Sequence, residues 1–323
     1  MSLNKPTLIV ITGPTASGKS ALAVEVARRL DTEIISADSR QVYHGIPIVT
    51  ALPTEEERCG IKHHLMDILP LEAYYSASEF ERDSLKILDD IFANHATAVV
   101  CGGSMMYVDA LCDGIDEIPT VPDSIRVPLM KEWSKRGDEW LLSELGRMDP
   151  VHFAKVDRKN MKRVFHAVEI CMTAGKPYSA MLTGEKRERP FDILKICMDG
   201  EREKLFSRIN RRVELMMEAG LEEEARSVTH LRHLNSLNTV GLKEMFAYFD
   251  GVFTRDEAIA RIQKNTRVYA KKQLTWYKRD QLLHRLDFGA PVEENAEKIL
   301  AMVGATQAQS QTSVGTLRSR SRE

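Results

Sequence analysis

Residues 7–20, TLIVITGPTASGKS, decide how the rest of the chain is read. Leu8, Ile9, Val10 and Ile11 form a short apolar run, largely β-branched, which is the pattern of a strand buried in a parallel sheet. The run stops at Gly13, and helical periodicity begins near Lys19. Between them, the spacing Gly13-x-x-x-x-Gly18-Lys19-Ser20 is that of a phosphate-binding loop. Such a loop, here Gly13, Pro14, Thr15, Ala16, Ser17, Gly18, Lys19 and Ser20, turns successive backbone N–H groups onto one anion, and the helix start adds its dipole. Lys19 supplies a point charge, and the Ser20 hydroxyl can ligand Mg²⁺. Two adjacent phosphates fit this cradle. A glycine turn that matched by chance would not need the strand before it or the amphipathic helix after it, and both are present.

Outward from the loop, Leu22, Val26 and Leu30 share one face of a helix over 20–30 and read as core. A second strand follows at 33–37. It ends at Asp38-Ser39-Arg40-Gln41, and in an open parallel sheet the groups just beyond strand ends line the ligand crevice. Asp38 at that address is either a reacting carboxylate or the cap of the next turn. His63 and His64 are adjacent, point to different sides of any regular element and read as loop or surface residues rather than a metal pair. Ser76 or Ser78 starts a helix that runs to 94, and Thr97 to Cys101 is another buried strand. At its end stand Cys101 and Gly102 where a hydrolytic ATPase would carry a metal-holding acid, so a motor is disfavoured.

Composition limits the partners. The 323 residues can bury a large core and hold one large domain with an insertion. No apolar run approaches the roughly eighteen residues of a membrane span. The first strand starts too early to leave room for a signal peptide. Five scattered cysteines without a C-x-x-C pair point to a reducing cytoplasm and away from disulfides or zinc.

The chain changes character from 113 to 190, where prolines interrupt helical segments around 123–147 and 160–174, and this stretch reads as a helical insertion. The sheet resumes at 193–198. A helix over 201–219 carries Arg208, Arg211 and Arg212, any of which could face the phosphates. Between Arg255 and Arg285 the chain is basic, with Tyr269, Trp276 and Tyr277 interleaved, a composition suited to single-stranded or loop RNA, although a solvated basic face explains it as well. Residues 304–323 are polar, low in complexity and expected to be a mobile tail.

Seven stretches, GPTASGKS, ISADSRQVY, GGSMMYVDAL, RKNMKRVFHAVEICMTAGKPYS, INRRVELMMEAGLEEE, LNTVGLKEMFAYFDG and NTRVYAKKQLTWYKRD, together resemble the successive motifs of the tRNA dimethylallyltransferase family. The resemblance covers residues 7 to about 280. It implies a P-loop-type α/β core (residues 1–112 and 191–303), an insertion at 113–190 that binds tRNA, Mg²⁺ dependence, and transfer of a dimethylallyl group to N6 of adenosine 37 beside the anticodon. A monomer without membrane contact is expected.

The residues give that transfer a chemistry. Diphosphate departs from dimethylallyl diphosphate, so the loop amides, Lys19, Mg²⁺ on Ser20 and an arginine must hold developing charge, with Arg212 the first choice and Arg208 the second. The adenine amine must lose a proton, and Asp38 is the natural base. The resemblance adds Thr15 near the reacting amine. It also implies RNA contacts from Asp38, Ser39, Arg40, Gln41, Ser104 and Arg126, then from Lys162, Arg163, Val164, Phe165 and His166. Further on it implies Asn238, Thr239, Val240, Gly241, Leu242 and Lys243, and within 271–279 Lys271, Lys272, Trp276 and Lys278. Ser104, Asn160, His166 and Leu242 depart from the residues commonest in the family. A small-molecule kinase, an adenylate prenyltransferase and a plain RNA-binding module are the rival readings.

Overall fold

The computed structural model describes residues 5–320, with side chains described through residue 306. β1 (Thr7–Thr12) is buried along its whole length, as its apolar run requires. Its side chains alternate between two cores. Ile9 and Ile11 face one side of the sheet, where they meet Leu22 and Val26 of α1 (Lys19–Leu30). Leu8 and Val10 face the other. β2 (Ile34–Ser36) leads into α2 (Pro47–Thr50), α3 (Glu55–Arg58) and β3 (His63–His64). α4 (Ala77–Asn94) starts at Ser76, which forms a capping box with Glu79, and lays Phe80, Leu88 and Ile91 against Leu8 and Val10. β4 (Thr97–Cys101) and α5 (Met105–Asp113) complete the first half, with Tyr107 of α5 stacked on Phe80 at 4.4 Å between ring centroids.

The chain then divides into two compact units, one made of residues up to Asp113 together with those from Glu188 on, the other of Gly114–Arg187. The second unit is helical. Its α6 (Asp123–Met148) is broken at Gly137 (φ 79°), and Leu129, Leu141 and Leu145 pack on Val164, Phe165 and Val168 of α8 (Met161–Ala174). The short α7 (Pro150–Lys155) lies between them in sequence. Asp149 is fully buried there, where it accepts hydrogen bonds from His152 N (2.9 Å), Ser179 N (2.6 Å) and Ser179 Oγ (2.7 Å).

The first unit resumes with β5 (Asp192–Asp199), α9 (Arg202–Glu218), α10 (Leu221–Ser227), α11 (Leu242–Phe249), α12 (Arg255–Tyr277), β6 (His284–Asp287) and α13 (Val292–Arg320). Among the described residues all six strands are parallel, in the order β3-β2-β4-β1-β5-β6. β1 is therefore central, and the loop that follows it opens at the carboxyl end of the sheet. A third core, built on Val42, Tyr43 and Ile46 with Leu242, Met245 and Phe246, carries α10, α11 and the start of α12.

Two expectations change. His63 and His64 are not loop residues, because Ile34 and Ile35 pair with them as an edge strand, and Glu33 accepts from His64 Nε2 at 2.5 Å. The tail expected from 304 is helical as far as Arg320, since the packed turn holding Ile299 and Val303 supplies a ready nucleus and each further residue extends it at small cost. The last three residues of that tail lie outside the described residues.

Candidate active site

The loop after β1 has the geometry its spacing predicts. Gly13 has φ 148°, and a Cβ there would stand 2.9 Å from the Met198 carbonyl, so only glycine lets the loop leave between β1 and β5. Ala16 and Gly18 are left-handed (φ 64° and 82°), the alternation that gathers backbone N–H groups into an anion nest at the start of α1. Thr15, Lys19 and Ser20 line a cleft of about 590 Å³.

Asp38 opens into the same cleft from the end of β2, and Arg212 faces it from α9. The two sequence alternatives for Asp38 turn out to be compatible. Its Oδ1 accepts from Arg40 N (2.9 Å) and Gln41 N (3.4 Å), which fixes the turn, and no group among the described residues claims Oδ2. Desolvation lowers the Lys19 ammonium from its ordinary value, Cys101 and Asp38 oppose the shift, and the Arg212 guanidinium adds to it. Burial likewise lowers Arg212, with Asp38 and Glu57 opposing. Two cations held against their own desolvation are primed to gain from an arriving polyanion. Burial pushes the Cys101 thiol up to about 11. Cys101 is therefore a neutral wall of the cleft.

The three candidate arginines separate clearly. Arg212 lines the cleft, Arg208 lies over the Phe288 ring at 4.9 Å, and Arg211 is exposed and paired with Glu214 (3.2 Å) and Glu218 (3.4 Å). Helical spacing explains this, because Ile209 and Val213 are the buried positions of α9 and Arg212 flanks them on the side toward the cleft.

Several residues expected to meet RNA line the cleft: Ser39, Arg40, Gln41, Ser104, Asn238, Thr239, Val240, Gly241, Lys243 and Lys272. Some are already engaged. The Gln41 amide donates to Thr50 O (3.1 Å) and Ala51 O (3.2 Å), and its oxygen accepts from Ser36 Oγ (3.1 Å). Ser104 Oγ accepts from Ser39 N at 2.8 Å, which ties the two loop ends together. Other side chains are not presented to a partner. Leu242 is core beneath the cleft. In the helical unit Val164 and Phe165 pack inward, and the helix turns Lys162, Arg163 and His166 outward. Glu169, only 3% exposed, accepts from Arg126 Nε (2.9 Å) and Nη2 (3.1 Å) and bonds His166 Nδ1 (2.9 Å), holding both side chains in fixed positions.

The rings of the basic segment also divide. Tyr269 faces the cleft, Trp276 donates to Asp109 Oδ2 (3.0 Å), and Tyr277 is buried, accepting from Thr12 Oγ1 at 2.5 Å. Of the lysines, Lys271 sits 5.3 Å from the Phe206 ring, and Lys278 is exposed at the end of α12. Sequence reasoning missed Gln273, which is 1% exposed and bridges Thr15 N and Gly103 O. Its signal was a polar residue on the buried stripe Ala258, Ile262, Ala270, Tyr277.

A tRNA dimethylallyltransferase of Parabacteroides distasonis is 51% identical over 273 residues, 84% of this chain and 91% of the relative. The crystal structure of a tRNA isopentenylpyrophosphate transferase from Bacillus halodurans superposes with a TM-score of 0.71 at 32% identity, covering 95% of this chain and 99% of its own. A eukaryotic dimethylallyltransferase solved acting on tRNA superposes at 0.75 with 26% identity, over 88% of this chain and 74% of its own. These structures share the P-loop NTPase-like core expected from the sequence. The match to the family described as IPP transferase spans residues 41–280, and the chain belongs to that family.

Proposed function

We propose that this chain, as a single copy in the cytoplasm, transfers the dimethylallyl group of dimethylallyl diphosphate to N6 of adenosine 37 in tRNA. The observation that carries the chemistry is that the nest, Lys19, Arg212 and the Asp38 carboxylate share one cleft. The diphosphate sits on the loop amides with Lys19 and Arg212 on its oxygens, so the charge that develops as the allylic C–O bond breaks is met by fixed cations. The adenine, flipped from the anticodon loop, presents N6 to the allylic carbon. As the C–N bond forms, N6 gives its proton to Asp38 Oδ2, and Thr15 stands beside it to orient the amine. Diphosphate leaves with the C–O electron pair.

Among the described residues no group of three or more His, Cys, Asp or Glu side chains forms a cation cage. The Ser20 hydroxyl, which lines the cleft, suits Mg²⁺, which takes few protein ligands and relies on phosphate and water. Bound there, Mg²⁺ supplies charge neutralisation for the leaving diphosphate. The tRNA is gripped by Arg40, Lys243 and Lys272 at the cleft and by Lys162, Arg163 and His166 of the insertion.

Mass analysis of nucleosides from tRNA incubated with enzyme and dimethylallyl diphosphate tests the reaction, with dimethylallyladenosine at position 37 as the expected product. Asp38→Ala should keep tRNA binding and lower single-turnover transfer by about 10²–10⁴-fold. An unchanged rate rules out the base.

A further inference from the structure

Helix α12 places two buried side chains one turn apart against the phosphate loop. Gln273 Oε1 accepts from Thr15 N at 3.0 Å, and Gln273 Nε2 donates to Gly103 O at 2.9 Å. Tyr277 Oη accepts from Thr12 Oγ1 at 2.5 Å. The N-terminal half of the loop that cradles the diphosphate is thereby fastened to one helix, at Thr12 and at Thr15. Tyr269 and Lys272, on the same helix, face the cleft.

The Thr15 N–H spent on Gln273 is unavailable to a phosphate, so Gln273 adds nothing to anion binding directly. Its effect is to set where Thr15 and the rest of the nest lie relative to α12. Gln273 and Tyr277 also fall inside the 271–279 segment that the family resemblance assigns to RNA contact, yet both are turned into the protein.

We propose that Gln273 and Tyr277 are positioning residues that key α12 into the phosphate loop, so that RNA seated on Tyr269 and Lys272 tightens the hold on the allylic diphosphate. Linkage makes the effect reciprocal, and the diphosphate tightens RNA binding by the same factor. The inference rests on the transfer reaction proposed above. Side chains that merely glued the helix down would change stability without changing the ratio of affinities with and without RNA.

The test is calorimetric binding of dimethylallyl S-thiolodiphosphate, a slowly reacting analogue, with and without a saturating anticodon stem-loop RNA. In the wild-type chain RNA should tighten the analogue about tenfold, the scale of one neutral buried hydrogen bond. Gln273→Met, which keeps the volume and removes both bonds, should reduce that factor to less than twofold, with affinity in the absence of RNA within about threefold of wild type. Tyr277→Phe, which removes one hydroxyl, should cut the factor to about threefold and serves if Gln273→Met does not fold. A factor near one in the wild type, or a full tenfold in either folded variant, overturns the coupling while leaving wild-type transfer intact. Failure of the wild type to bind the analogue overturns the transfer reading and the coupling together.

Discussion

Gly102 is where a single methyl group should do the most damage to catalysis without touching a reacting residue. It follows β4, and its N–H donates to Ile11 O at 3.2 Å. A Cβ on Gly102 would stand 2.1 Å from the carbonyl oxygen of Ala37 and 2.3 Å from its carbon. Ordinary contact starts at 3.4 Å, so the ends of β2 and β4 must part by about 1.3 Å in the Gly102→Ala variant. The obstacle is backbone on both sides and cannot rotate away. Ala37 directly precedes Asp38, and its carbonyl also accepts from Ser104 N (3.1 Å), so the displacement falls on the base and on the loop that ties Ser39 to Ser104. A shift of about 1 Å at a reacting group costs on the order of 10²-fold in rate, and overpacking of this kind costs about 1–3 kcal/mol of stability. Single-turnover transfer to tRNA, measured beside thermal melting, should show a rate loss of about 100-fold in a chain that still folds. Gly304→Ala is the control, because nothing stands within 4 Å of that position and a helical alanine there should be neutral or slightly stabilising. A folded Gly102→Ala variant with a rate within threefold of wild type would refute the claim that β2 and β4 hold Asp38 in place.

Two further outcomes follow from the charges in the cleft. Arg212→Ala should lower transfer by about 10²-fold or more, whereas Arg211→Ala, an exposed position, should leave the rate within about twofold, and equal losses in the two variants would break the assignment. Because desolvation depresses the Lys19 ammonium, the free enzyme keeps that charge only below its lowered pKa, and the grip on diphosphate is lost as pH rises through it. kcat/KM for the allylic diphosphate should therefore fall on the alkaline side before the ordinary lysine range near 10.5, and a profile flat to that value would contradict it.

Much of the molecule was legible in local sequence. The strand at 7–12, the loop spacing and the cap at Ser76 are properties of a few adjacent residues, and the structure carries each of them. Asp38 was legible because strand ends in a parallel sheet have a fixed relation to the crevice. What escaped depended on partners far away in the chain. The stripe around Gln273 marks it as a buried polar residue but does not name its partners, Thr15 and Gly103. The choice among Arg208, Arg211 and Arg212 waited on which face of α9 met the sheet. Val164, Phe165 and Leu242 were assigned to RNA as members of motifs, whereas helix periodicity uses them for packing. His63 and His64 gave too short a run to read as a strand until Ile34 and Ile35 were found beside them.

The register of the central strand also sets a schedule for synthesis. β1 pairs on one edge with β4 (Thr7 opposite Thr97) and on the other with β5 (Thr7 opposite Asp192), and the whole helical insertion is made between those two events. Until the ribosome has released residues past Asp199, Leu8 to Ile11 sit in a sheet with one open, strongly apolar border. The insertion, whose contacts are local, can form while that border waits. The nascent enzyme should be most exposed to aggregation and to chaperone capture in this interval, and late closure of so distant a pair should be the slow step of its folding.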